Sequence, residues 1–318
     1  MAAPVSLAEE TAAIRREIGR VVVGYEDTVD DLLLAALARG HVLLEGVPGI
    51  AKTTLAKAFA TALGIGFRRI QFTQDVLPAD ITGHYYYNQQ TREFEIRRGA
   101  IFADLLLADE VNRAPPKTQG ALLEAMEERQ ATIEGTTLAL PDDFMVIATM
   151  NPVEFEGVYR LPEAQLDRFV IRSVMGYLPR EAERRMLDAK LASPAEARVA
   201  VKPGFLARAR AETLRVRVDP SIVDYVHDVG VRTREHKDVA LGASPRAIER
   251  LLHVARATAV LEGRSFVIPD DVRASVPRVL THRLLLAPEA EIAGRRAQDV
   301  VRAILAEAPL PRVDLAKG

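Results

Sequence analysis

Two clusters of residues have the types and spacing to act on an anionic, metal-bound substrate. The first is Gly46-Val47-Pro48-Gly49-Ile50-Ala51-Lys52-Thr53-Thr54. An apolar run, His41-Val42-Leu43-Leu44, precedes it and Leu55-Ala56-Lys57-Ala58-Phe59-Ala60 follows, which predicts a buried strand, a glycine-rich turn and a helix. Glycines let consecutive backbone N–H groups curl inward around an anion, and the helix N-terminus adds partial positive charge. The pattern predicts a phosphate-binding loop lined by Gly46, Pro48, Gly49, Ile50, Ala51, Lys52, Thr53 and Thr54. Lys52 would reach the β- and γ-phosphates, and the Thr53 hydroxyl would ligate Mg²⁺. Ala51 stands where the pattern GxxxxGK[ST] has its second glycine, and a methyl group there leads us to expect a negative φ.

The second cluster is Leu105-Leu106-Leu107-Ala108-Asp109-Glu110, an apolar strand ending in two acids. Carboxylates at the end of a buried strand are costly unless a cation is near. Asp109 therefore suits Mg²⁺ through a bound water, and Glu110 suits a general base that polarises an attacking water. Such a string alone is a weak signal, but its position 57 residues after Lys52 makes it a strong one.

Three single residues are further candidates. Asn151, at the end of the predicted strand Phe144 to Met150, has the amide to orient a hydrolytic water, although Asn151-Pro152 is also a plain turn signal. Arg168 is either a surface partner of Asp167 or Glu163 or an arginine that stabilises charge on a transferring phosphoryl group. Arg246 sits in the opening turn of a helix that Ser244 caps and Pro245 begins.

The elements that must position these residues alternate strand and helix as far as Gly176. Ser6 and Glu9 form a capping box for a first helix ending near Gly19, and Asp30 to Arg39 reads as a buried helix closed by Gly40. Between them, Val21 to Glu26 suits either a cover for an adenine base or an ordinary connector. Phe67 to Phe72 reads as a second strand, Thr73 to Gly83 as loop, and His84 to Tyr87 with Arg92 to Arg97 as an inserted β-hairpin. Its tyrosines suit a partner contact or packing of the hairpin's own base. Asn112 to Pro116 opens a helix with Leu122, Leu123 and Met126 in the core and Glu124, Glu127, Glu128 and Arg129 on its solvated face. A second hairpin, Ala131 to Leu140, turns at Glu134-Gly135. Pro162 starts a short helix.

The alternation stops at Gly176-Tyr177-Leu178-Pro179, giving an α/β core at 1–176 and a helical domain at 177–318. Breaks in the second domain are expected at Ser193-Pro194, Pro203-Gly204 and Asp219-Pro220, with a last helix over Ala290 to Leu305 and a frayed tail after Pro309.

Composition narrows the function classes. A net charge of −2 argues against a surface built to neutralise nucleic-acid backbones. Without cysteine the chain has no disulfide, thiol nucleophile or thiolate metal site, and its six histidines show no HxH or HExxH spacing. No basic-then-apolar leader and no membrane-length apolar run is evident, so a cytoplasmic location is expected.

In order, GVPGIAKT, FTQDVLPADITG, LLLADEVNRAPPKTQGALLEAMEERQ, ATMNP, LPEAQLDRF and GASPRA resemble an AAA+ ATPase, with wording closest to the MoxR family and its helix-2-insert clade. They span Gly46 to Ala247, nearly two thirds of the chain. The resemblance accounts for Ala51, since this family commonly has Ala-Lys-Thr. It departs at Gly99-Ala100-Ile101-Phe102, where the family usually has Gly-Pro, and a relaxed turn is expected there.

The resemblance implies a P-loop NTPase core of parallel sheet with helices on both faces and an inserted hairpin, plus a C-terminal all-α lid. Lys52 and Thr53 would be Walker A, Asp109 and Glu110 Walker B, and Asn151 sensor 1. Arg168 would be the arginine finger acting on a neighbour's nucleotide, and Arg246 sensor 2. ATP and Mg²⁺ would be the cofactors, a hexameric ring the working state, and a von Willebrand factor A domain protein the partner. The implied activity is chaperone-like remodelling or metal-cofactor insertion. A magnesium-chelatase-like motor subunit and a nucleotide-dependent scaffold with little turnover are the alternatives.

Overall fold

The computed structural model describes residues 6–152, 158–159, 161–192 and 195–311. The Ser193-Pro194 break and the end of the expected tail lie outside them. The chain opens with α1 (Leu7–Gly19), for which Ser6 and Glu9 form the expected capping box, and α2 (Glu26–Leu37), buried along most of its length. Then come β1 (His41–Gly46), α3 (Lys52–Leu63), β2 (Phe67–Gln71), the one-turn α4 (Pro78–Thr82) and the hairpin β3 (Gly83–Asn88) with β4 (Glu93–Arg98). The segment expected to be all loop thus contains α4, with Pro78 at its start and Ile81 buried beneath it. Ala100 N–H donates to Asp80 O at 3.2 Å, a bond that a proline there would remove.

After β5 (Leu105–Asp109) come α5 (Pro116–Glu128), the hairpin β6 (Gln130–Ile133) with β7 (Thr136–Ala139), β8 (Met145–Met150), α6 (Glu163–Leu166) and β9 (Phe169–Met175). The β6–β7 turn holds Glu134 at φ 44° and Gly135 at φ 90°, as a two-residue hairpin turn requires. Strands β2, β5, β8, β1 and β9 form one parallel sheet in that order. The central strands β1, β5 and β8 are buried on both faces, which is why they read as unbroken apolar runs.

Strand β9 was not anticipated, because Arg172 and Ser173 interrupt its apolar pattern. Both are matched inside the fold: Arg172 Nη2 meets Glu45 Oε2 at 2.5 Å, and Ser173 Oγ donates to Asp31 Oδ2 at 2.6 Å. On the first hairpin, Tyr87 packs edge-on against Phe94, with centroids 5.4 Å apart, and both rings remain exposed.

The remainder is largely helical: α7 (Arg180–Ala192), α8 (Phe205–Arg215), α9 (Pro220–Glu235), β10 (Val239–Leu241), α10 (Pro245–Leu261), α11 (Pro269–Leu280), β11 (Leu285–Leu286), α12 (Pro288–Ile292) and α13 (Ala297–Glu307), with α10 to α13 forming a lid. The single last helix expected over Ala290 to Leu305 is in fact two. Gly294, at φ 74°, breaks it. Strands β10 and β11 pair antiparallel as a small clasp inside the otherwise helical lid. Lid and core share one apolar cluster, in which Leu32, Leu44 and Phe59 meet Leu251, Val254 and Val276.

Candidate active site

The loop between β1 and α3 sits at the C-terminal edge of the sheet, where parallel strands leave a crevice for ligands. Gly46 has no room for a side chain, since a Cβ there would lie 2.6 Å from Met175 O on β9. Gly49 has φ 84° and Ala51 φ 68°. The expectation of a negative φ at Ala51 is therefore corrected: the loop needs a left-handed residue immediately before α3, methyl group or not. That geometry costs a non-glycine residue about 1–2 kcal/mol, held here by the surrounding loop and helix. Lys52 Nζ folds back on the loop, donating to Gly46 O and, at 3.5 Å, to Val47 O.

Asp109 ends β5 and is buried, as is Asn151, one residue beyond β8. Thr53 Oγ1 lies 3.4 Å from Asp109 Oδ2, so the two expected Mg²⁺ ligands face each other. Two residues not anticipated complete this group. Thr149, fully buried on β8, donates to Asp109 Oδ1 at 2.6 Å and accepts from Glu110 N–H at 2.8 Å, tying both acids to one hydroxyl. Arg69 on β2 supplies the cation a buried carboxylate needs, with Nη2 at 2.7 Å and Nε at 3.1 Å from Asp109 Oδ2. Strand β2 pairs in register with β5, but nothing local in Phe67-Arg68-Arg69-Ile70-Gln71 marks which arginine faces the site.

Glu110 has φ 58°, a left-handed conformation rare for its type and often found at functional sites. Its Oε2 accepts from Arg113 Nη1 at 2.9 Å and from Gln71 Nε2 at 3.5 Å.

Arg168 and Arg246 are elsewhere. Arg168 immediately precedes β9, whose Phe169 pairs with His41 at the start of β1, whereas the phosphate loop follows Gly46, paired with Met175. The six residues of β1 at ~3.3 Å each separate the two edges by roughly 20 Å. Arg168 Nε donates to Glu127 Oε2 at 3.0 Å and Arg246 Nη2 to Glu127 Oε1 at 2.7 Å. The surface pairing of Arg168 with Asp167 or Glu163 is thereby replaced, and Asp167 instead binds Arg283 at 2.6 Å.

Glu127 stays on the exposed face assigned to it, though paired with both arginines, whereas Arg129 is half-buried. Arg129, at the end of α5, donates to Arg39 O at 2.7 Å and Phe144 O at 3.2 Å. Burial, followed by the charges of Arg39, Arg210 and Arg250, lowers its pKa to about 10. A cavity of about 280 Å³ at this edge is lined by Arg39, Arg129, Arg168, Arg246 and Arg250, with Glu127 among them. Asp167 and Glu249 also line it, so its five arginines outnumber three carboxylates. The phosphate-loop residues and the Arg168–Arg246 pair thus lie at opposite edges of the sheet.

Residues 41–171 match the ATPase family associated with various cellular activities (AAA), and residues 231–304 match the AAA lid domain. The chain is 48% identical over 297 residues to YeaC of Bacillus subtilis, covering 92% of each protein. It is 42% identical to chaperone MoxR1 of Mycobacterium tuberculosis, over 97% of this chain and 85% of that one. To protein MoxR of Methylorubrum extorquens it is 33% identical, over 95% and 96%. A solved Cytophaga hutchinsonii protein assigned as an ATPase superposes with a TM-score of 0.89 at 36% identity, covering 96% of each chain.

Proposed function

The chain belongs to the AAA+ ATPases related to MoxR, and from that premise we propose a ring-forming, Mg²⁺-dependent ATPase that drives chaperone-like remodelling or metal-cofactor insertion in partner proteins. The observation that carries the reading is the separation of Lys52, Asp109 and Glu110 from Arg168 and Arg246 across the length of the sheet. An arginine at the far edge serves a phosphoryl group only on another copy, so a closed ring, taken here as a hexamer, completes each site. By the same geometry, Arg246 acts in trans beside Arg168.

Within one shared site, Lys52 and the loop N–H groups hold the β- and γ-phosphates. Glu110 takes the proton of the attacking water and Asn151 orients that water. Mg²⁺, held by Thr53, Asp109 and phosphate oxygens, would neutralise charge on the phosphates, and one carboxylate plus one hydroxyl is a donor set typical for it. Among the described residues no group of three or more His, Asp or Glu side chains is arranged to hold a metal ion. Arg168 and Arg246 of the neighbour stabilise the charge that develops on the transferring group.

The chaperone reading rests on the likeness to MoxR1. The von Willebrand factor A domain partner, and the helix-2-insert assignment of the β3–β4 hairpin, rest on the family resemblance. The balanced charge supports a protein target over nucleic acid. No helix among the described residues is long and apolar enough to cross a membrane, and we place the ring in the cytoplasm.

The test is ATP turnover per subunit against protein concentration. Turnover should rise steeply with assembly, vanish in Lys52→Ala, and fall about 10³-fold in Arg168→Ala with nucleotide binding retained. Full turnover by a dilute monomer, or by Arg168→Ala, would refute the shared site. Affinity capture with Glu110→Gln in ATP should retain a protein partner; recovery of nucleic acid instead would refute the remodelling role.

A further inference from the structure

Glu127 lies in the last turn of α5 and divides its two oxygens between arginines of two other elements. One is Arg168, just before β9, and the other is Arg246, in the first turn of α10. The other carboxylates of the cavity are engaged differently: Asp167 binds Arg283 at 2.6 Å, and Glu249 lies 3.6 Å from His253. Two neighbouring guanidinium groups repel, and each long arginine side chain loses rotamer entropy when it is ordered. A carboxylate between them offsets both effects before any neighbour arrives.

We propose that Glu127 is a positioning residue for hydrolysis on the neighbouring subunit: it holds Arg168 and Arg246 as a matched pair and yields them to the neighbour's phosphates. The proposal rests on the shared-site reading above.

Three observations shape it. Glu127 and Arg246 are exposed and Arg168 is only partly buried, so the ion pairs are weak and exchange readily for a multiply charged phosphate. Arg168 is also steadied by Ala164 O at 3.1 Å, so giving up Glu127 does not free it entirely. The hydrogen bond from Arg246 holds the Glu127 carboxyl below its ordinary pKa against the opposing effect of burial, so the clasp is ionised at neutral pH.

The experiment mixes two variants that are each inactive alone. Glu110→Gln chains lack the base but present an intact arginine face, while Arg168→Ala chains lack the finger but hold an intact nucleotide site. Mixed assemblies should regain turnover at interfaces that join one of each. Adding Glu127→Gln to the Glu110→Gln chain should then lower kcat about ten-fold or more while KM for ATP moves less than about three-fold, because the pair acts on the transition state. Glu127→Asp in the same chain should restore part of the loss.

The same Glu127→Gln change carried by the Arg168→Ala chain should cost far less, since that chain's arginine face is already disabled. Equal losses in both placements, or no loss in either, overturn the clasp while leaving the shared site standing. A mixture that stays inactive with Glu127 intact overturns the shared site, and the clasp with it.

Discussion

Arg69 and Thr53 converge on the same oxygen of Asp109: Arg69 Nη2 is 2.7 Å from Oδ2 and Thr53 Oγ1 is 3.4 Å from it. A guanidinium therefore occupies the carboxylate that would face Mg²⁺, so in the proposed site cation and metal would compete for one acceptor. In Arg69→Met the Mg²⁺ concentration for half-maximal turnover should fall about three- to ten-fold, as expected when a competing partner worth about 1 kcal/mol is removed. Magnesium titration of ATP turnover measures this; an unchanged midpoint would refute the competition, and a higher one would show that Arg69 assists metal binding.

Thr149 joins the two acids through a single buried hydroxyl. Thr149→Val keeps the volume but leaves Glu110 N–H without its acceptor and Asp109 Oδ1 without its donor. A cost of about 1–3 kcal/mol in stability follows from stranding buried polar groups. Turnover should fall about 10²-fold through misplacement of Glu110. Urea unfolding and steady-state kinetics read the two effects separately, and full activity in Thr149→Val would remove Thr149 from the catalytic geometry.

Ala51 adopts the conformation glycine favours. Ala51→Gly should relieve the left-handed strain and, after glycine's larger loss of chain entropy, leave a net gain of about 0.5–1 kcal/mol. Thermal unfolding should move up accordingly, with turnover within about two-fold of the parent. A lower melting temperature would show that contacts of the methyl group outweigh the torsional cost.

Two buried histidines set the acid limit of stability. Burial, then the charge of Arg129, lowers the pKa of His41 to about 3, and burial with the charge of Arg283 pushes His282 well below its ordinary value. Both folded-state values lie below the unfolded one, so the unfolded chain binds more protons in the window between them. Stability is complete above about pH 6.5 and declines as pH falls through it towards 3; at pH 5.5 His41 alone accounts for about 1.4 kcal/mol. Unfolding midpoints at pH 7.5 and 5.5 measure the decline. His41→Gln should be less stable at both, having lost contacts to Met126 O and Val146 N, yet show a shallower pH dependence.

Chemistry confined to a few consecutive residues was legible without the fold. The phosphate loop, the Asp109-Glu110 strand end, the Ser6 and Ser244 caps and the Glu134-Gly135 turn are specified by neighbours in the chain, and the central strands announce themselves as apolar because both faces are covered. Tertiary structure decided what depends on residues distant in sequence. The left-handed turn of Ala51, set by the path from β1 into α3, is one such feature, and β9 is another, its Arg172 and Ser173 acceptable only because Glu45 and Asp31 lie opposite. It also decided that Arg69 and Thr149 flank Asp109, and that Glu127, which reads as one more solvated glutamate, stands between Arg168 and Arg246. Spacing along the chain encodes periodicity and local hydrogen bonding, whereas the partner of a charge is chosen by which strand edges and helix ends the sheet brings together.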